Sequence, residues 1–307
     1  MPQGVAVQAQ RTYTSVSGRG IDWGLMPARL FSKGKRLYWD PEKISFEQDK
    51  VDWKKLNEDE QDMILRLTSL FGAGEEAVTL DLLPLVNVMA QEGRLEEEMY
   101  LTQFLFEEAK HTEAFRRFLD SIDCHEDLHR YHTGSYQTVF YEALPQAMGR
   151  LNQDPSPAAQ AEASVTYNMI VEGVLAETGY HAWRSILESR GLMPGVQEII
   201  SKIATDESRH IAYGVYLLSR LIAVDDEIYG VVQKKMSDLM VPSTGVINDL
   251  LGAYAGKEVP FGLSPDDFVN FAIRKFQGRM AVIERARGKA VDELYRAPIE
   301  TFEEADA

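Results

Sequence analysis

The chain has one cysteine, Cys124, among 307 residues. A disulfide within the chain is therefore excluded, and so sparse a use of thiols fits a reducing compartment. Long apolar runs are missing too: none approaches the roughly 20 residues that a spanning helix needs. The opening Met1-Pro2-Gln3-Gly4-Val5 has no basic flank leading into an apolar core, so no secretory signal is read there. Together these absences predict a cytoplasmic protein. Positive charge is in deficit, with 32 Lys and Arg against 48 Asp and Glu and a net charge of −16. Such a surface repels phosphates, which argues against nucleic acid and anionic membrane as partners. Strand alternation, solenoid repeats and low-complexity tracts are absent as well.

What remains is helix. Asn57 with Glu60 three residues later forms a capping-box pattern. It opens a long helix running to about Gly93, with a kink expected at Pro84. A second helix is read over about 95–122, and a third over about 136–151. The segment Asn152-Gln153-Asp154-Pro155-Ser156-Pro157 is a break. A fourth helix covers about 158–190, a fifth opens at Pro194 and runs to about Leu221, and others occupy about 225–255 and 265–290. The expected organisation is an irregular segment over 1–40, one all-α domain over 41–295 and a loose acidic tail over 296–307.

Two of these helices carry the same device: Glu108-Ala109-Lys110-His111 and Glu207-Ser208-Arg209-His210. Residues three apart leave one face of a helix. Chance supplies roughly half such an E-x-x-H at this composition, and a third copy, Glu126/His129, occurs in the polar stretch Cys124–His132. The face therefore decides. Leu101, Phe104, Phe115 and Phe118 flank the first pair, and Ile200, Ile203 and Leu217 flank the second, so both interrupt a core-facing stripe. A carboxylate buried there costs several kcal/mol unless it is paired or metal-bound. Glu126/His129 has no apolar stripe and reads as solvated. Glu107 falls with Tyr100, Gln103, Lys110 and Ala114, which reads as a wetter face.

Further acidic residues interrupt other stripes. Glu75 continues Ile64, Leu67, Phe71, Val78 and Leu82, while Glu76 sits one step off. The preceding Gly72-Ala73-Gly74 would let another helix approach closely. In the fourth helix Glu172 aligns with Met169, Leu175 and Trp183, and Glu177 is its rival. Four helices each giving a glutamate, two of them adding a histidine, make the di-metal carboxylate pattern of a ferritin-like four-helix bundle core with additional helices. Four carboxylates balance two divalent cations, and oxygen donors with one imidazole per ion suit iron or manganese. Zinc hydrolysis fits less well, because H-E-x-x-H is missing and carboxylates dominate.

The segments Gly74-Glu75-Glu76-Ala77-Val78, Phe106–His111, Tyr167–Gly173 and Asp206–His210 resemble the ribonucleotide reductase small-subunit superfamily. Within it the chain looks most like the ligand-binding oxidases, over about residues 40–290. The resemblance implies one manganese ion held by Glu75, Glu108 and His111, and one iron ion held by Glu172, Glu207 and His210. Glu108 and Glu207 would bridge, and a di-iron centre is the variant of this scheme. It further implies an enzyme, a dioxygen-dependent oxidoreductase acting on a C–H bond. A long-chain fatty acid at the metals, a tyrosine–valine ether cross-link between Tyr167 and Val78, and a homodimer complete the implied picture. Tyr167 lies five residues before Glu172, which an ideal α-helix rotates about 140° away, so a local π-bulge or a close neighbouring helix is needed.

Two departures separate the chain from reductase subunits. The radical tyrosine of the superfamily falls at Phe115, and the tail from Arg296 to Ala307 contains no tyrosine. A radical-generating reductase subunit, an acyl desaturase-like di-iron enzyme and a non-catalytic ferritin-like metal or lipid binder remain the alternatives.

Overall fold

The computed structural model describes residues 12–302, and among these every regular element is helical. A first helix, α1 (Met26–Arg36), has Pro27 in its first turn and Lys33, Lys35 and Arg36 in its last, both favourable placements. It corrects the expectation of an irregular segment over 1–40, within which residues 1–11 lie outside the described ones. The physical reason is its packing face, where Met26 and Leu30 are buried and α1 lies on α5. A Cβ at Gly34 would overlap the Gln103 amide, so glycine sets that close approach.

The short α2 (Glu47–Trp53) serves a later helix: Asp49 accepts from the backbone N–H groups of Gly195 at 2.9 Å and Val196 at 2.8 Å. It thus satisfies donors left open at the start of α10 (Pro194–Val224). In α3 (Glu58–Asp81) the capping box is formed reciprocally, Asn57 to Glu60. After Leu82, itself helical in backbone angles, the chain continues as α4 (Leu83–Gln91), with Pro84 in its first turn where no N–H is required. Next comes α5 (Leu95–Ser121), the longest element before the polar stretch.

Two segments are π-helical rather than α-helical. One, Thr138–Ala143, joins α6 (Gly134–Gln137) to α7 (Leu144–Arg150). The other, Val165–Ala176, lies between α8 (Pro157–Ser164) and α9 (Glu177–Leu187). After α10 the chain continues as α11 (Ile228–Gly252), α12 (Pro265–Glu284) and α13 (Val291–Arg296). The bundle core is α3 on α5, α10 on the long π segment, and α5 against α10, with α11 and α12 covering the π segment from outside.

The expected loose tail is also corrected over its described part. Arg296 pairs with Asp22, and Phe302 is buried edge-on against Tyr216. One buried phenyl ring anchors what its acidic neighbours leave polar; residues 303–307 lie outside the described ones. Among the described residues no helix is long and apolar enough to cross a membrane.

Candidate metal centre

Six side chains from four helical segments meet in the bundle core. Glu75 comes from α3, Glu108 and His111 from α5, Glu172 from the long π segment, and Glu207 and His210 from α10. None is more than 6% exposed. They form two overlapping groups, Glu75–Glu108–His111–Glu207 and Glu108–Glu172–Glu207–His210. The shared members are Glu108 and Glu207. Glu108 Oε2 lies 3.5 Å from His111 Nδ1, while its Oε1 lies 3.2 Å from His210 Nδ1. Glu75 Oε2 is 3.4 Å from His111 Nδ1, and Glu172 Oε1 is 3.6 Å from His210 Nδ1.

The donor chemistry fits two cations. Glu108 Oε2, Glu172 Oε1, Glu207 Oε2 and both Nδ1 atoms are buried without a hydrogen-bond partner, an arrangement that is costly unless something positive sits among them. The outer ring nitrogens, by contrast, are held. His111 Nε2 lies 3.1 Å from Asp206 Oδ2, and His210 Nε2 lies 2.9 Å from Glu107 Oε2. Each histidine can donate to a carboxylate on its outer edge and keep an Nδ1 lone pair for a metal, the second-shell arrangement that orients imidazole ligands.

Those outer carboxylates cross over. Asp206 of α10 holds the histidine of α5, and Glu107 of α5 holds the histidine of α10. Arg209 donates to both, at 2.8 Å to Glu107 and 2.6 Å to Asp206, and Lys110 donates to Asp206 at 2.7 Å. Trp39 Nε1 adds a 2.7 Å bond to Asp206, and the indole stacks on His111. Glu107 is therefore buried, which corrects the wetter face read for it: Tyr100, Lys110 and Ala114 are buried beside it. The charged members sit inside because each has a partner. The signal was in the sequence as a doubled acid-Glu-x-base-His pattern, Glu107–His111 and Asp206–His210.

The rival residues stay outside. Glu76 is exposed, and Glu177 binds Arg279 at 2.6 Å on the far side of its helix. Glu126 and His129 are exposed, and Glu126 pairs with Arg130. A Cβ added at Gly72 would meet Phe115 of α5 at 3.7 Å, an ordinary contact, so glycine is not needed at that position for α5 to approach.

The electrostatics follow from the packing. Burial pushes Glu75 and Glu172 well above the usual carboxylate range, and Glu207 adds repulsion at Glu172. Burial would also raise Glu108, but the His111 and His210 rings beside it hold it far below that range. Burial disfavours the charged imidazoles; the surrounding carboxylates outweigh it and hold His111 and His210 well above their ordinary value.

Tyr167 reaches the same point. In the π segment hydrogen bonds run i to i+5, so residues five apart return to one face. The rotation that separates Tyr167 from Glu172 in an ideal α-helix is thereby much reduced. The phenol donates to Val78 O at 3.2 Å and to Glu108 Oε1 at 3.3 Å. On the Glu75 and Glu172 side the nest opens onto a cavity of about 100 Å³. Its walls are apolar, with Leu67, Phe71, Val171, Leu175, Ile247 and Phe268 among them. A Cβ at Gly179 would overlap the Phe71 ring, so glycine lets that wall close.

The ribonucleotide reductase small-chain family matches residues 28–269. The chain belongs to this family. Within the family it is similar to the R2-like ligand-binding oxidase from Sulfolobus acidocaldarius, at 44% identity and a TM-score of 0.85 over 92% of this chain and 98% of that one. An R2-like ligand-binding oxidase with an aerobically reconstituted Mn/Fe cofactor is 35% identical, with a TM-score of 0.85 over 91% of this chain and 99% of the other. The all-α, ferritin-like fold read from the sequence is thus the fold of this family member. Phe115, one turn beyond His111, is buried against Phe71.

Proposed function

We propose that this family member is an oxygen-activating, ligand-binding oxidase with one manganese and one iron ion. Glu75, Glu108 and His111 would hold the manganese, and Glu172, Glu207 and His210 the iron. The observation that carries the reading is a nest of unpartnered buried donor atoms opening directly onto an apolar cavity. When bound, the metal pair supplies the electrons that reduce dioxygen and the oxidising power to remove hydrogen from a C–H bond.

The chain's own residues do the rest. Four carboxylates neutralise two divalent cations, so the loaded centre carries little net charge into the core. Asp206 and Glu107 hold the imidazoles at their outer nitrogens and leave Nδ1 facing inward. The apolar walls exclude water from the reacting side. They also suit a long-chain fatty acid, whose carboxylate would reach the metals while its chain lies along Leu67, Phe71 and Leu175. Tyr167 is held 3.3 Å from Glu108 Oε1, a carboxylate positioned to take its proton. Loss of the phenol hydrogen and of the Val78 Cβ hydrogen, with two electrons passing to the oxidised centre, would leave an ether bond between the two residues.

A reductase role is less favoured, because a phenyl ring at Phe115 forms no phenoxyl radical. The exposed apolar side chains Leu80, Leu83, Phe106 and Tyr141 border one groove on the α3–α5 face, which supports a homodimer.

The test is protein produced with both metals supplied. Roughly equal manganese and iron, with a long-chain acid recovered by organic extraction, is the expected result. Protein that takes up neither metal would overturn the reading.

A further inference from the structure

The two halves of the nest are nearly symmetric. Each has a histidine, a share in both bridging glutamates, and a carboxylate behind the imidazole. Their terminal glutamates break the symmetry. Glu172 Oε2 accepts a 2.9 Å hydrogen bond from Asn168 Nδ2, which leaves only the unpartnered Oε1 facing His210. Asn168 is itself fixed: Ser164 donates to its Oδ1 at 3.0 Å, which sets the amide so that its NH₂ points at Glu172. Both residues are buried. On the other side α10 presses on Asn168 at Gly214, where an added Cβ would overlap the Asn168 Cβ and Cγ. Glu75 has no such support. Apart from the His111 approach, neither of its oxygens accepts a side-chain hydrogen bond among the described residues.

We propose that Asn168 is a specificity-determining positioning residue, which holds Glu172 to one inward oxygen and so makes the two half-sites prefer different metals. The proposal rests on the manganese–iron reading above. A half-site with a fixed, single-oxygen carboxylate limits ligand number and suits the smaller ion that binds such donors more tightly, iron(II) over manganese(II). The unclamped Glu75 can turn to offer both oxygens and accommodate the larger manganese(II). Selectivity by ligand number and flexibility is the same logic that separates other oxygen-bound divalent ions.

The experiment loads metal-free protein anaerobically with equal manganese(II) and iron(II). Occupancy of each half-site is then read from anomalous diffraction at the two metal edges. Wild-type protein is expected to hold iron at the Glu172/His210 half-site. Asn168→Ala should lower the iron-over-manganese ratio there about tenfold, the scale of second-shell changes in metal binding, with two metals still bound and the Glu75/His111 half-site unchanged. Gly214→Ala, which displaces the same side chain from the opposite helix, should shift the ratio in the same direction. Ser164→Ala, a milder change that frees the amide to turn, should do so to a smaller extent and covers a failure of the others to fold. A wild-type ratio retained in Asn168→Ala or in Ser164→Ala, with two metals bound, would overturn the clamp alone. Wild-type protein that binds no metal pair would overturn the underlying reading and the clamp with it.

Discussion

Glu207 Oε1 lies 3.4 Å from His111 Nδ1 and 3.4 Å from His210 Nδ1. One oxygen atom thus stands at equal distance from the two imidazoles that define the halves of the nest. Glu75 reaches only the first of them and Glu172 only the second. Glu207→Ala is therefore expected to weaken binding at both half-sites, whereas Glu75→Ala empties one. Metal content per chain after dialysis should fall toward zero in the first variant and toward one in the second. A Glu207→Ala protein that retains two metals would show that the oxygen is not shared.

The crossed outer carboxylates make a second, separable prediction. Asp206→Asn keeps the shape but weakens the partner of His111 Nε2, and it also disturbs Lys110, Arg209 and Trp39, which all donate to Asp206. Loss of such an outer-shell partner costs about 10- to 100-fold in metal affinity. Because the residues cross over, Asp206→Asn should act on the α5 histidine and Glu107→Gln on the α10 histidine. Competition with a chelator, read at each half-site, measures this. An effect confined to the histidine on the variant's own helix would contradict the crossed geometry.

The Tyr167–Val78 pair predicts a mass change. Tyr167 O donates toward the Val78 backbone from a phenol 1% exposed, and its ordinary value is pushed up by burial and by Glu108. A spontaneously ionised phenolate is therefore disfavoured, and the bond should form only during turnover with oxygen. Peptide mapping of aerobically loaded protein should find the two peptides joined and lighter by two hydrogen atoms. Tyr167→Phe should give separate peptides. Unlinked peptides in loaded wild-type protein would sink the cross-link while leaving the metal nest standing.

Much of this arrangement was legible before the structure. The interrupted apolar stripes picked out the carboxylates and histidines that meet, because a buried charge leaves a mark in a periodic pattern. Three features were harder to read. Glu107 looked wet because its neighbours Lys110 and Gln103 are polar, yet polar residues that pair with one another can be buried together. A count at 3.6 residues per turn turns Tyr167 away from Glu172, so the π segment was legible only as one of two ways to bring them together, the other being a close neighbouring helix. Helix α1 was missed for a third reason: its glycine and serine lower helix propensity, and contact with α5 overrides that.

Asp81 gives the pH prediction. It is the last residue of α3, half-buried, and burial alone pushes its carboxyl from 3.8 up to about 6. The negative end of the helix dipole lies at that terminus and also disfavours a charge. A folded-state value above the unfolded one means that stability is full below about pH 4 and is lost as pH rises through about 6. Above that range the folded protein carries a poorly solvated carboxylate. Asp81→Asn removes the ionisation and keeps the shape. It should stabilise the protein at pH 8 by about 1 kcal/mol after allowance for solvent screening, a rise in Tm of about 1.5 °C for a chain of this size. At pH 4.5 the folded carboxyl is mostly protonated while the unfolded one is mostly ionised, so the same substitution should gain only about a third as much. Thermal unfolding of both proteins across pH 4.5–8 measures the difference. A gain that is equal at the two ends would mean that the effect comes from packing and not from the buried charge.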